Sequence, residues 1–161
     1  MIESFEQTVL GQLRQRGVAA RYVYLLEAEG TPFDQLVRWG DAAVSDPEQL
    51  GDASLAALAR EVDGISVDKA LILPLDADGN STRVSDVVAR AHRAGLEVYT
   101  WTLRPENAFL PRNLRLGGRA AAFGRWQEEY RTIMSSGVDG VFADHPDLAL
   151  VARGTGVGGA A

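Results

Sequence analysis

The residues with chemistry to offer are few. The sequence has two histidines, His92 and His145, and no cysteine. A thiol nucleophile, a thiolate metal site and a disulfide are therefore excluded. What remains gathers where short apolar runs end: Glu3, Ser4 and Phe5; Tyr24 and Glu27; Ser66 and Asp68; Tyr99, Thr100, Trp101, Thr102 and Arg104; and Asp144. Rings, hydroxyls and a few charges are the lining of a pocket for a small polar molecule. They are not an acid–base engine. His92 falls mid-helix, on the solvent side of its pattern. His145 follows Asp144, but a lone histidine without a partner His, Cys or base does not establish catalysis.

Several of these residues have two readings. In "GVDGVFADHPDLAL", residues 137–150, an apolar strand runs into Asp144 and Pro146 opens a helix. Asp144 is either a pocket carboxylate or the N-cap of that helix, where Asp is favoured. Trp101 is either a ligand platform or ordinary core. Arg104, Arg112, Arg115, Arg119 and Arg125 stand against a single acid, Glu106, a local reversal of sign in an acidic chain. Guanidinium forks match phosphate oxygens, yet an arginine run is also what a solvated loop looks like. "DADGNS" resembles a calcium loop with its glycine misplaced, so a plain turn is expected. "NST" at Asn80 is a glycosylation triplet only in a secreted eukaryotic protein.

The elements that must position these residues alternate in type. Strands are expected at 1–5, 21–28, 63–67, 96–103 and 138–144. Helices are expected at 6–17, 53–62, 83–95, 119–137 and 146–153, the first with an apolar stripe of Val9, Leu10 and Leu13. Residues 30–52 read as a long loop with one short helical turn, 73–82 as turns, and 104–118 as a long connection. Val23, Leu25, Val98 and Val141 are the expected inward-facing strand residues. Strands alternating with helices imply parallel βαβ units. A doubly wound sheet and part of a (β/α) barrel both fit, and both place ligands at the carboxyl ends of strands. The first strand starts without a lead-in, so the chain is expected to begin within a fold. Residues 1–153 form one unit, and the small-residue run 154–161 is expected to be disordered.

Composition narrows the partners. The chain has 161 residues, 46% of them hydrophobic, and a formal net charge of −6. That is one domain's worth of chain with enough apolar residues for a core. The negative balance argues against nucleic acid. No apolar run approaches the length needed to span a bilayer. "MIESFEQ" has neither the basic nor the apolar region of a leader, so no signal peptide is expected in this sequence.

Five segments together carry a resemblance. "IESFEQTVLGQL", "VDGISVDKALILP", "AHRAGLEVYTW", "VYTWTLRPEN" and "GVDGVFADHPDLAL" follow one another as they do in the glycerophosphodiester phosphodiesterase family. The chain resembles the carboxyl-terminal part of its larger bacterial branch, over residues 2–153. The resemblance implies an α/β fold, an incomplete (β/α)8 TIM barrel holding the family's fourth to eighth strands. It implies an activity for the complete enzyme: a glycerophosphodiester is hydrolysed to an alcohol and glycerol 3-phosphate, with a divalent cation, calcium or magnesium. The family's His-Arg pair, Glu-x-Asp, second histidine and Glu-x-Lys are not found here. "HRAG" at His92 lies within a helix and does not stand in for the first. No catalytic residue, no metal site and no cofactor are therefore expected of this chain alone. Phe5, Tyr24 and Trp101 are expected as pocket wall for glycerol, Arg104 as a phosphate contact and Asp144 as a supporting carboxylate. Glu3 stands where the family usually has Gln, and Ala143 where it usually has Thr. Open sheet edges imply self-association. The compartment is left open, although complete relatives are often periplasmic or secreted. Two other readings stand beside this one: a non-enzymatic half-barrel that binds a ligand or partner, and an unrelated small α/β binding domain.

Overall fold

Five short runs rich in β-branched and aromatic residues become five parallel strands. A computed structural model describes residues 1–154. The strands are β1 (Ile2–Ser4), β2 (Tyr22–Leu26), β3 (Gly64–Asp68), β4 (Glu97–Leu103) and β5 (Gly140–Ala143). Their order in the sheet is their order in the chain, and every neighbouring pair is parallel. Strand order in a doubly wound sheet reverses at a switch point, and this one does not. Sequential βα units laid side by side are the barrel pattern.

The helices are α1 (Gln7–Gln15), α2 (Phe33–Trp39), α3 (Asp52–Leu58), α4 (Lys69–Ile72), α5 (Val87–Ala94), α6 (Trp126–Met134) and α7 (Pro146–Arg153). One core joins all of them but α2, which has no buried residue, to one face of the sheet. Tyr22, Tyr24, Leu26, Ile65, Val67, Val98 and Leu103 are buried with Leu10, Leu55, Leu58, Val87, Val88, Ala91, Tyr130, Ile133, Ala149 and Ala152. Side chains alternate across a strand. Glu3, Phe5, Val23, Leu25, Gly64, Ser66, Glu97, Tyr99, Trp101, Gly140 and Phe142 therefore lie on the other, concave face. The parallel registers Glu3↔Val23, Val23↔Gly64 and Gly64↔Glu97 make one row of that face, and Leu25↔Ser66, Ser66↔Tyr99 and Tyr99↔Gly140 the next. Val23 and Leu25 face inward as expected. Val98 and Val141 do not: both pack on the helix side.

Glycine stops two helices. Gly95 closes α5 at φ 90° and Gly154 closes α7 at φ 75°, left-handed values that only glycine adopts without cost. Residues 155–161 of the expected disordered run 154–161 lie outside the described residues. Other boundaries move. The loop expected at 30–52 contains α2 and two 3₁₀ turns, Gly40–Ala42 and Glu48–Leu50. The helix expected to start at 83 starts at Val87, and the one expected at 119–137 runs Trp126–Met134. Gly124 explains the second shift. Its backbone is pressed against the preceding loop, where an added Cβ would meet Asn107 Oδ1 at 2.5 Å and Leu110 Cδ1 at 2.6 Å. Residues before it pair with that loop, through the Glu106↔Phe123 bridge, and so cannot continue a helix.

Candidate functional site

The carboxyl ends of the strands bring together some of the expected residues. Phe5, just beyond β1, meets Trp101 on β4 edge to face, with centroids 5.6 Å apart. Strands sit about 4.8 Å apart, so β1 and β4 would be roughly three spacings apart in a flat sheet. Rings that meet across that gap require the sheet to curl around its concave face. Trp101 Nε1 donates to the Ser66 carbonyl at 3.2 Å. Phe5 keeps 45% of its surface exposed, so the pair forms a ledge rather than a sealed core. Below it the Ser66 hydroxyl and Glu3 Oε1 are buried with no hydrogen-bond partner among the described residues. Burial raises the Glu3 carboxyl above its ordinary pKa, opposed in part by the N-terminal ammonium.

Tyr24 does not join this ledge. It is wholly buried in the core on the helix side of β2, next to Gln49 and Asp46, and burial drives its hydroxyl pKa upward. The physical reason is the phase of the strand: Tyr22, Tyr24 and Leu26 share one face, and that face meets the helices.

A second group sits beyond β4 and β5. Arg104 Nε donates to Asp144 Oδ2 at 2.6 Å, and its guanidinium lies 4.7 Å over the Phe109 ring. Asp144 thus serves Arg104; α7 is preceded by His145 and has no side-chain cap. Arg104 donates through Nε, which leaves its two terminal NH2 groups without a hydrogen bond among the described residues. Two other arginines of the run are spent on backbone carbonyls: Arg112 on that of Asp78 at 3.2 Å and Arg115 on that of Leu110, in its own loop, at 2.8 Å.

The histidines separate. His145 Nε2 lies 3.7 Å from Glu106 Oε1, beyond hydrogen-bond length, with its ring 5.8 Å from that of Phe123. His92 sits at the opposite end of the sheet, 2.9 Å from Asp139 Oδ2. That oxygen also accepts the Val98 N–H at 2.7 Å. Burial pulls the Asp139 carboxyl up, but the Val98 and His92 contacts together hold it below its ordinary range.

Among the ion pairs that sequence reasoning passed over, one is largely buried. Lys69, first residue of α4, donates to Glu129 Oε1 of α6 and to the Phe109 carbonyl, both at 2.7 Å. The Glu129 side chain is 2% exposed, and burial raises its pKa against the pull of Lys69. Glu129 occupies the inward stripe of α6 beside Tyr130 and Ile133. A charge at such a position is a signal the sequence did contain.

The divalent cation that the resemblance implies for a complete enzyme finds no ligand set here. No three His, Cys, Asp or Glu gather among the described residues. Asp144 is engaged by Arg104, and His92 by Asp139.

Known proteins agree with this geometry. The sequence model of the glycerophosphoryl diester phosphodiesterase family matches residues 1–148. No curated protein matches the chain. A solved structure from Silicibacter pomeroyi DSS-3, named as a glycerophosphoryl diester phosphodiesterase, superposes with a TM-score of 0.53 at 19% identity. The match covers 93% of this chain and 36% of that one, so this chain spans about a third of that relative's length. A parallel half-barrel in chain order, with aromatic and arginine groups at its carboxyl end, and a family match over nearly its whole length lead to one conclusion: the chain belongs to the glycerophosphoryl diester phosphodiesterase family.

Proposed function

We propose that this chain forms the substrate-holding wall of a glycerophosphodiester phosphodiesterase site and does not turn substrate over by itself. Glycerol packs on the Phe5–Trp101 ledge, where carbon atoms meet ring faces and hydroxyls reach polar neighbours. The phosphate takes the terminal NH2 groups of Arg104, whose Nε is held by Asp144. The observation that carries the reading is the pairing of that ledge with a buttressed arginine at one end of a sheet from this family. Loops after late barrel strands are a frequent phosphate site, and a guanidinium is suited to two phosphate oxygens at once. Acid–base groups and cation ligands would come from residues outside this chain.

Two measurements on the purified chain test this together. Glycerol 3-phosphate should bind saturably and quench Trp101 fluorescence, and Trp101→Leu should abolish the signal. Release of glycerol 3-phosphate from glycerophosphocholine, with calcium or magnesium, should stay at the blank. Cation-dependent release would refute the division of labour. Absence of binding would favour a second reading, supported by the two open sheet edges: a non-enzymatic half-barrel whose ligand is another protein segment.

A further inference from the structure

The ion pair between Lys69 and Glu129 is a poor stabilising device. Two charges leave water to make it, and well-packed apolar side chains of the same volume often serve stability as well or better. Glu129 Oε2 is buried with no hydrogen-bond partner among the described residues, so the pair is not even fully satisfied. Its geometry serves something else. Lys69 Nζ splits its bonds between Glu129 Oε1 and the Phe109 carbonyl. It thereby ties the 3₁₀ turn Asn107–Phe109 to the end of β3 and to α6. The ring of that same Phe109 carries the Arg104 guanidinium.

We infer that Lys69 and Glu129 are positioning residues for Arg104, acting through Phe109. The inference rests on the reading of Arg104 as a phosphate contact. Asp144 fixes Arg104 at one point, Nε. One bond leaves the guanidinium plane able to swing about it, and a ring face beneath the plane removes that freedom. The ring must then be fixed in turn. Phe109 is 46% exposed, and its turn borders a cavity of about 140 Å³ lined by Lys69, Leu73, Phe109, Arg115 and Glu129. The start of the turn is fixed by the Asn107 and Ala108 N–H groups, which donate to the Ala122 and Ala120 carbonyls, so the part beside the cavity is its Phe109 end, and Lys69 holds the carbonyl there. Lys69 can do so because Glu129 fixes the ammonium in place from behind.

The test uses the whole chain with nitrogen-15 in its arginines. Glycerol 3-phosphate is titrated while the Arg104 Nε–Hε resonance, assigned by its loss in Arg104→Leu, is followed. The double variant Lys69→Met/Glu129→Met replaces the pair with apolar side chains of similar volume and should melt within a few degrees of wild type. It should nevertheless bind about tenfold more weakly, the scale of one lost hydrogen bond to a charged group, with an exchange-broadened Arg104 signal. Phe109→Leu should lose affinity likewise, and Phe109→Tyr should keep it. A folded double variant with wild-type affinity and an unchanged Arg104 signal overturns the inference alone. A wild-type chain whose Arg104 resonance ignores glycerol 3-phosphate removes the phosphate reading and this inference with it.

Discussion

Asp46 lies in the long excursion between β2 and α3 and is 4% exposed. Burial pushes its carboxyl pKa up to about 6, and the charge of Glu27 adds to the rise while a backbone hydrogen bond opposes it. The folded state thus holds this proton more tightly than the unfolded chain does. The stabilisation is complete below about pH 4, the ordinary Asp value, and is lost as pH rises through 6. Chemical unfolding should show about 1 kcal/mol more stability at pH 5 than at pH 7 from this group, and Asp46→Asn should remove that share of the slope. A slope unchanged in the variant would locate the titration elsewhere. At Arg104 and Asp144 the expectation is reversed, because their side chains are 38% and 50% exposed. Asp144→Ala should cost less than about 1 kcal/mol of stability, yet weaken glycerol 3-phosphate binding severalfold by freeing the guanidinium. Calorimetry and a melt on the same sample separate the two effects. Asp144 and Trp101 were legible in the sequence because each sits at the end of an unmistakable strand. Their partners were not. Arg104 and Asp144 are 40 positions apart, and Lys69 and Glu129 are 60 apart. Only the fold closes such distances.

Among elements, legibility followed the strength of the local pattern. The strand run "YVYLL" is apolar at every position, so alternation gives no phase, and nothing in it tells whether its two tyrosines or Val23 and Leu25 face the helices. The helix start at Trp126 was hidden for another reason: "RAAAF" has good helix formers, and tertiary pairing of the loop overrides them. The glycines of α1 and of that loop make a matched test. Gly11 lies inside α1 with nothing within 4 Å of an added Cβ, so Gly11→Ala should stabilise by about 0.5–1 kcal/mol through helix propensity. Gly124→Ala would drive a methyl into Asn107, Leu110 and the Leu114 carbonyl and should cost about 1–3 kcal/mol. Equal melting temperatures for the two variants would show that the loop yields. A repeat also emerges here. Val-Asp-Gly occurs at 62–64 and 138–140, its glycine opening β3 and β5. Each Asp carboxylate accepts the backbone N–H of the neighbouring strand, Asp63 from Tyr22 and Asp139 from Val98, both at 2.7 Å. Each also meets a basic residue of a nearby helix, Arg14 or His92. Gly64 and Gly140 follow because a Cβ there would lie 2.8 Å from the Glu97 carbonyl or the Tyr99 ring. One solution to starting a strand is used twice.

For the molecule as a whole, exposed apolar residues lie at both edges of the sheet as well as on α2 and in the loops. Among helices, α3, α5 and α6 pack beneath the middle strands and carry no exposed large hydrophobic residue, whereas Met1, Val9 and Val18 flank β1 and Phe142 and Val151 flank β5. Open parallel edges beside such surface invite pairing with other chains. Light scattering should therefore give a mass that rises with protein concentration, and a concentration-independent monomer would contradict this. Those edges bear also on how the sheet comes apart. Each strand pairs only with its neighbours in the chain, so the sheet behaves as a short one-dimensional array whose cohesion is a sum over adjacent links. Such an array melts from its tips. Backbone amides should trade hydrogen for deuterium fastest in Ile2–Ser4 and Gly140–Ala143, and slowest in Gly64–Asp68, which is buried along almost its whole length and hydrogen-bonded on both flanks. Mass spectrometry of peptides from the exchanged chain would display that gradient, and a uniform exchange rate across the five strands would mean that they open together as a single cooperative block.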